Sequence, residues 1–198
     1  MENYFKIYPQ FADFSKKLLD IDLEDPTQYS YSDREAIYDR LRLPIKMFKG
    51  KLKSNIDELV NQYFGLDDFV FSVIKSNSTS QIHTDTHYKK GQHLQRYCNL
   101  AFPISGDFTN RITFWPKLDK ADKIFCFKNS YVEDTSLHKY KETSTWTTHI
   151  KHKLHQPVLL NTSEPHAAQG SGETLFAYIT LIGKSYEECS ALYDKLIL

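Results

Sequence analysis

Cysteine is scarce. Cys98, Cys126 and Cys189 are the three in 198 residues; they are widely spaced and contain no Cys-x-x-Cys pair, so neither a disulfide framework nor a zinc ribbon is signalled. They are expected to be reduced, partly buried thiols. No apolar run approaches the roughly 20 residues that cross a bilayer. The opening Met1-Glu2-Asn3-Tyr4-Phe5-Lys6 lacks the charged-then-apolar layout of a signal peptide, so a soluble, cytoplasmic protein without a membrane partner is expected. Charge of one sign is missing as well. The 25 basic and 25 acidic residues cancel, which leaves no global field for nucleic acid or an anionic surface, and any nucleic-acid contact would have to be local. Repeats and low-complexity tracts are absent too.

Aromatic residues, by contrast, are abundant. The 13 Tyr, 13 Phe and 2 Trp favour a β-rich core over a helical bundle, because such side chains fit a pleated, half-buried surface. The length suits one domain with peripheral decoration. Its expected parts are a helical N-terminal support over 1–66, a β core over 67–184 and a C-terminal helix over 185–198.

Ser32-Asp33-Arg34-Glu35 has the spacing of a capping box and precedes Ile37, Tyr38 and Leu41, with Pro44 as the stop. Ile56, Leu59, Val60, Tyr63 and Phe64 repeat at the helical interval, and Gly65 falls where a left-handed C-terminal residue is needed. Both helices are expected on the outside of a sheet. From Asp68 the period changes to two, through Phe69, Phe71 and Val73, then a polar turn into Gln81-Ile82-His83. Further strands are expected at Gln95 to Ile104, Arg111 to Trp115, Lys123 to Phe127, Thr145 to His149, Pro157 to Asn161 and Thr174 to Ile182. Ser105-Gly106-Asp107 and Gly170-Ser171-Gly172 mark turns. So many short strands indicate a barrel or two-sheet jelly roll. Ser185-Tyr186-Glu187-Glu188 starts a last helix, whose Leu192, Tyr193 and Leu196 should pack back onto the body.

Two short stretches carry the chemistry. In Gln81-Ile82-His83-Thr84-Asp85-Thr86-His87, His83 and Asp85 are two residues apart, so on a strand both leave the same face. Glu164-Pro165-His166 follows the apolar Val158-Leu159-Leu160, a strand end where a rigid site can be built. Two imidazoles and one carboxylate on one face of a metal, with the other face open, suit non-heme Fe(II). His83-x-Asp85 alone reads sooner as a surface or turn pair with a hydrogen bond; the distal His166 is what favours metal. His87 would extend the alternation into a local site, but one strand rarely supplies every ligand. His149, His152 and His155 lie among lysines and read as a solvated loop or edge strand. Lys46, Lys49, Lys51 and Lys53 read as a solvated face, with a phosphate or nucleic-acid contact as the lesser alternative.

The order His83-x-Asp85, a β-rich stretch, then Pro165-His166 and a final strand resembles the Fe(II)/2-oxoglutarate-dependent dioxygenase superfamily over about Phe69 to Gly183. The segment Arg96 to Ile104 and Trp115 are also similar to small hydroxylases of that superfamily. The resemblance implies a mainly β protein with peripheral helices and a double-stranded β-helix core of jelly-roll or cupin type. It implies His83, Asp85 and His166 as the metal ligands. Fe(II) would be the cofactor, 2-oxoglutarate and O2 the co-substrates, and hydroxylation of a small-molecule or peptide substrate the reaction.

In one respect the chain departs from that pattern. The superfamily commonly anchors the far carboxylate of 2-oxoglutarate with a base on the strand after the distal His. Here that strand reads Thr174-Leu175-Phe176-Ala177-Tyr178-Ile179-Thr180, and the nearest base, Lys184, is expected beyond its end. A buried dianion without a charged partner is costly. Arg96 is the replacement that the resemblance suggests, with Tyr97 and Asn99 beside it and Thr174 and Tyr178 adding hydroxyls. Alternation leaves open whether Arg96, or Tyr97 and Asn99, face the interior. Thr174 and Tyr178 are equally ordinary strand positions. Arg111 and Trp115 are candidates for substrate contact, although an exposed strand arginine is the blander account of Arg111, and Lys117 to Lys141 is a candidate lid. Two rival readings stand beside the oxygenase: a metal-binding jelly roll without 2-oxoglutarate, acting as hydrolase, isomerase or sugar-binding module, and a barrel kept as an interaction module. Substrate identity and oligomeric state are not legible, because pocket loops decide the first and no apolar stripe can be separated from the core.

Overall fold

The computed structural model describes residues 4–21, 23, 29–30, 45–48, 50–76, 83–89, 92–95, 98–109, 111–116, 125–126, 148–153, 155–170, 172–181 and 183–196. Within these, the strands are β1 (Phe5–Ile7), β2 (Tyr29–Ser30), β3 (Ile45–Phe48), β4 (Val70–Ser76), β5 (His83–Thr84), β6 (Thr86–Lys89) and β7 (Gln92–Gln95). They continue with β8 (Cys98–Gly106), β9 (Ile112–Pro116), β10 (Phe125–Cys126), β11 (Thr148–Lys153), β12 (Val158–Asn161), β13 (Ala167–Gln169) and β14 (Thr174–Thr180). The α-helices are α1 (Ala12–Leu19), α2 (Gly50–Phe64) and α3 (Tyr186–Lys195).

The larger sheet has the order β1-β12-β8-β14-β4-β3-β2, and a second has the order β11-β9-β13. Period-two alternation assigns each face of the larger sheet. Leu100, Phe102, Leu175, Ala177 and Ile179 face one way and pack with Phe14 and Leu18 of α1, Ile56, Val60 and Phe64 of α2, and Tyr193 of α3. Ala101, Val158, Leu160, Phe176 and Tyr178 face the other way and meet Trp115 of β9. The two sheets therefore close on each other through the second cluster, while the helices cover the outside of the larger one. The protein is mainly β with peripheral helices around a double-stranded β-helix.

Two local irregularities follow from residue chemistry. Pro103 lies within the central β8 and has no N–H to give to the ladder. The register with β14 slips there, passing from Phe176 opposite Pro103 to Leu175 opposite Ser105, so one extra residue bulges. At the end of β8, Gly106 has φ of 111°, and a Cβ would run into the backbone of Glu173 and Thr174. Only glycine fits that corner.

The helix α2 ends where the sequence predicts, with Gly65 at φ 62°, and α3 begins with a complete capping box between Ser185 and Glu188. Tyr193 is buried and Leu192 packs against the outer core, but Leu196 is 40 % exposed rather than packed back. The helix expected after Ser32 and the lid from Lys117 to Lys141 fall on residues outside or largely outside those described. The strand β1 and helix α1 are additions: three residues of β1 show no usable period, and a short helix like α1 is held by what Phe14 and Leu18 touch. At the expected solvated lysine face, Lys46 lies in the strand β3, while Lys53 is exposed and paired with Asp57.

Candidate metal centre

Asp85 follows β5 directly, and its backbone N–H donates to the Thr162 carbonyl (3.0 Å). That bond joins the His-x-Asp stretch to the loop after β12. The loop is itself tied: the Asn161 side-chain oxygen accepts from the Ser163 N–H (3.2 Å) and hydroxyl (2.6 Å), an Asx turn that fixes the path into Pro165 and His166. The antiparallel register sets Phe114 opposite Ala167, which places Trp115 beside His166, their ring centroids 6.4 Å apart. The Trp115 indole N–H donates to the Asn161 carbonyl (2.9 Å). Each end of the His166 segment is thus held by a bond to a neighbouring strand or turn.

The two side chains converge. His166 Nε2 lies 3.9 Å from Asp85 Oδ1, a separation that one ion with bonds of about 2.0–2.2 Å can span. His166 Nδ1 is 2.9 Å from the Glu164 carbonyl oxygen. A carbonyl only accepts, so Nδ1 carries the hydrogen, and whenever the ring is neutral its lone pair is on Nε2, the nitrogen nearer Asp85. The other carboxylate oxygen, Oδ2, accepts from Asn99 Nδ2 (2.6 Å). Asn99 is oriented in turn, since its Oδ1 accepts from the Thr180 hydroxyl and its amide approaches Thr162 Oγ1 (3.5 Å). An anionic oxygen and an imidazole nitrogen, each aimed by a second bond on its far side, fit a divalent transition metal.

The predicted residues fall into different places. The backbone of His83 lies in β5, paired in parallel with Phe125; its side chain, with Arg96 and Tyr97, lies outside the described residues. Among the described residues, no three His, Cys, Asp or Glu side chains gather into one cluster. Asn99 faces the interior and donates to Asp85. Trp115 is not open to a substrate: it is 1 % exposed, its N–H is committed, and its ring packs against Tyr4 and Phe5. It forms a wall behind His166. Arg111 is 1 % exposed and donates from Nη2 to the Gly172 carbonyl (3.2 Å); the exposed arginine of the sequence reading gives way to a buried one. Thr174 and Tyr178 share the interior face of β14 with Phe176. Lys184 is exposed and past the strand end. Of the remaining histidines, the backbones of His149 and His152 lie in β11, at the edge of its sheet, and His155 is exposed.

The interior carries paired electrostatics. Burial pushes the Tyr178 phenol well above the ordinary tyrosine range, the Asp85 charge pushes it further, and Arg111 opposes them. Burial lowers the Arg111 guanidinium, while Tyr178 works against that fall. Tyr178 is therefore within electrostatic reach of both Asp85 and Arg111. Sequence reasoning missed Ser72, Thr162 and Thr180, which reach this interior only through contacts between segments distant in the chain. Ser72 sits directly opposite Tyr178.

No family model matches the chain, and no curated protein does. Among solved structures, the chain is similar to a prolyl-4-hydroxylase from Pseudomonas putida, with a TM-score of 0.46 and 12 % identity over 92 % of this chain and 94 % of that one. It is also similar to HygX from Streptomyces hygroscopicus. With iron bound, that protein gives a TM-score of 0.39 and 11 % identity over 90 % of this chain and 82 % of that one. With nickel and 2-oxoglutarate bound, it gives 0.36 and 13 % over 90 % and 83 %. At these scores none decides what this chain does.

Proposed function

We propose that the protein is an Fe(II)- and 2-oxoglutarate-dependent oxygenase that hydroxylates a small-molecule or peptide substrate. The observation that carries the reading is the convergence of Asp85 and His166, each oriented by a hydrogen bond on its far side, at the interior of a double-stranded β-helix. His83, two residues before Asp85, is the third proposed ligand. Bound iron and 2-oxoglutarate would supply dioxygen activation and removal of a hydrogen atom from the substrate.

The chain's own contribution is positional. Asn99 holds the Asp85 carboxylate in one orientation, and the Glu164 carbonyl keeps the His166 proton on Nδ1, so Nε2 is available as a donor. Trp115 shields the far side of His166 and, with Val158 and Leu160, keeps water from that side of the site. Asp85, with a fifth of its side chain exposed, marks the accessible side.

The test is anaerobic titration of the purified protein with Fe(II) and then 2-oxoglutarate, following the visible charge-transfer band of the chelate. A band in the wild type that disappears in His166→Ala and Asp85→Ala is the expected result. Tight stoichiometric metal binding with no band would overturn the 2-oxoglutarate reading in favour of a hydrolytic or non-catalytic jelly roll.

A further inference from the structure

Asp85 and His166 come from distant parts of the chain, yet both hang on the loop between β12 and β13. The Thr162 carbonyl accepts from the Asp85 N–H (3.0 Å), and the Glu164 carbonyl takes the hydrogen on His166 Nδ1 (2.9 Å). A third carbonyl, that of Asn161, accepts from the indole N–H of Trp115 (2.9 Å), whose ring stands beside His166. The course of the chain from Asn161 to Glu164 therefore aims one carbonyl at each of the two residues and one at the wall behind His166. There is little slack in this arrangement. His166 Nε2 and Asp85 Oδ1 are 3.9 Å apart, and two bonds to one ion reach at most about 4.4 Å, so a loop shift of about half an ångström takes the pair apart.

Asn161 shapes that course. Its side-chain oxygen accepts from the Ser163 N–H (3.2 Å) and hydroxyl (2.6 Å), and because a backbone N–H needs an acceptor, these bonds fix which way the amide is turned. A side-chain oxygen that bonds two residues ahead imposes a turn of defined geometry. The Asn161 N–H in turn donates to the Tyr4 carbonyl (2.8 Å), and the Tyr4 and Phe5 rings pack on Trp115. One buried residue thus joins the N-terminal strand, the wall of the site and the loop. The register sets Leu160 opposite Asn99 and Asn161 opposite Cys98. Asn99 therefore holds Asp85 from the inner face, while Asn161, on the alternate face, holds the loop.

Resting on the reading of Asp85 and His166 as metal ligands, we infer that Asn161 is a positioning residue of the centre: the turn made by its side chain sets the separation of the two ligands. The role does not depend on the co-substrate, because the turn acts on the ligands themselves. The N-terminal strand shares in it, since Tyr4 of that segment holds the Asn161 N–H. An Asn161 that served the fold alone would add stability and leave the metal's surroundings as they are.

The test pairs Fe(II), followed by chelator competition, with Co(II), which takes the same nitrogen and oxygen donors and has visible ligand-field bands. Both ions are titrated anaerobically into the whole chain as wild type, Asn161→Ala, Asn161→Asp and Ser163→Ala, and urea midpoints are measured on the metal-free proteins. Asn161→Ala is expected to weaken Fe(II) binding by about 10–100-fold and to change the spectrum at saturating Co(II). Asn161→Asp keeps an acceptor oxygen in place and should restore both readouts. Ser163→Ala removes one of the two donors and should move both in the same direction by less; it carries the test if Asn161→Ala does not fold. A lowered urea midpoint with wild-type affinity and a wild-type saturated spectrum in Asn161→Ala, or in Ser163→Ala where the first does not fold, overturns the assignment and leaves the metal centre standing. A wild type that binds neither ion overturns the metal centre and this assignment with it.

Discussion

Asn99 shows how much one buried amide decides. Its nitrogen reaches both Asp85 and Thr162, and its oxygen accepts from Thr180, so three segments meet on a single side chain. Replacing it by alanine leaves a carboxylate oxygen without its donor and a buried threonine hydroxyl without its acceptor. Outer partners of metal ligands typically contribute about 10–100-fold in affinity. Asn99→Ala is therefore expected to weaken Fe(II) binding by about that factor in a chelator-competition titration, with the fold retained by circular dichroism. Unchanged affinity would mean that Asp85 keeps its orientation without Asn99. Nothing in the sequence around Asn99 distinguished support of Asp85 from contact with a cofactor, because the distinction depends on where strands β8 and β14 and the loop after β12 lie in space.

Among the elements, the helices and strands differ in how local their causes are. The helix α3 is specified by its own residues: the Ser185 hydroxyl accepts from the Glu188 N–H (3.2 Å), and the Glu188 carboxylate accepts from the Ser185 N–H (2.7 Å). Both bonds join residues three apart, so the signal is present in four letters of sequence. Ser185→Ala removes the cap and is expected to lower stability by about 1 kcal/mol, seen as a lower urea midpoint with an unchanged slope. A midpoint equal to wild type would show that packing of Tyr186, Cys189 and Tyr193 alone sets the helix. The strands β1, β3 and β13 are the opposite case. Each is three or four residues long, and each exists because a partner strand satisfies its backbone groups.

Across the whole molecule, the two ends of the described chain are joined at Tyr8. Its ring is buried between Phe11 and Tyr193, and its hydroxyl donates to the Asp194 carboxylate (3.1 Å) and approaches Ser190. Burial, assisted by the charge of Asp194, pushes the phenol up to about 12 from an ordinary 10. Because the folded state holds this proton more tightly than the unfolded chain, the stabilisation is complete below pH 10 and is lost as the pH rises toward about 12. Tyr178 and Tyr193 are raised as well, chiefly by burial, and act in the same direction. Unfolding free energies measured from pH 9 upward are expected to fall through this window, and Tyr8→Phe should flatten the fall. An equal fall in the variant would remove Tyr8 from it. By comparison the neighbouring Lys6–Asp194 ion pair (2.7 Å) is 42 % exposed on both sides and contributes little.

What the sequence determined by itself is whatever depends on neighbours in the chain. The stripe Ile56, Val60 and Phe64 makes a helix with an apolar face, Gly65 ends it, Ser185 and Glu188 start another, and the change to period two after Asp68 makes strands with two faces. The choice of a mainly β class was legible for the same reason. The tertiary structure alone decided which face of each strand is the interior and which residues meet there. The pairing of β14 with β8 and β4 turns Asn99, Tyr178 and Ser72 inward, and the position of Arg111 at the mouth of β9 takes it out of water. A one-residue slip in a strand reverses its faces at no cost to local pattern, so register, and with it the identity of a buried cation or a ligand's support, belongs to contacts between distant segments.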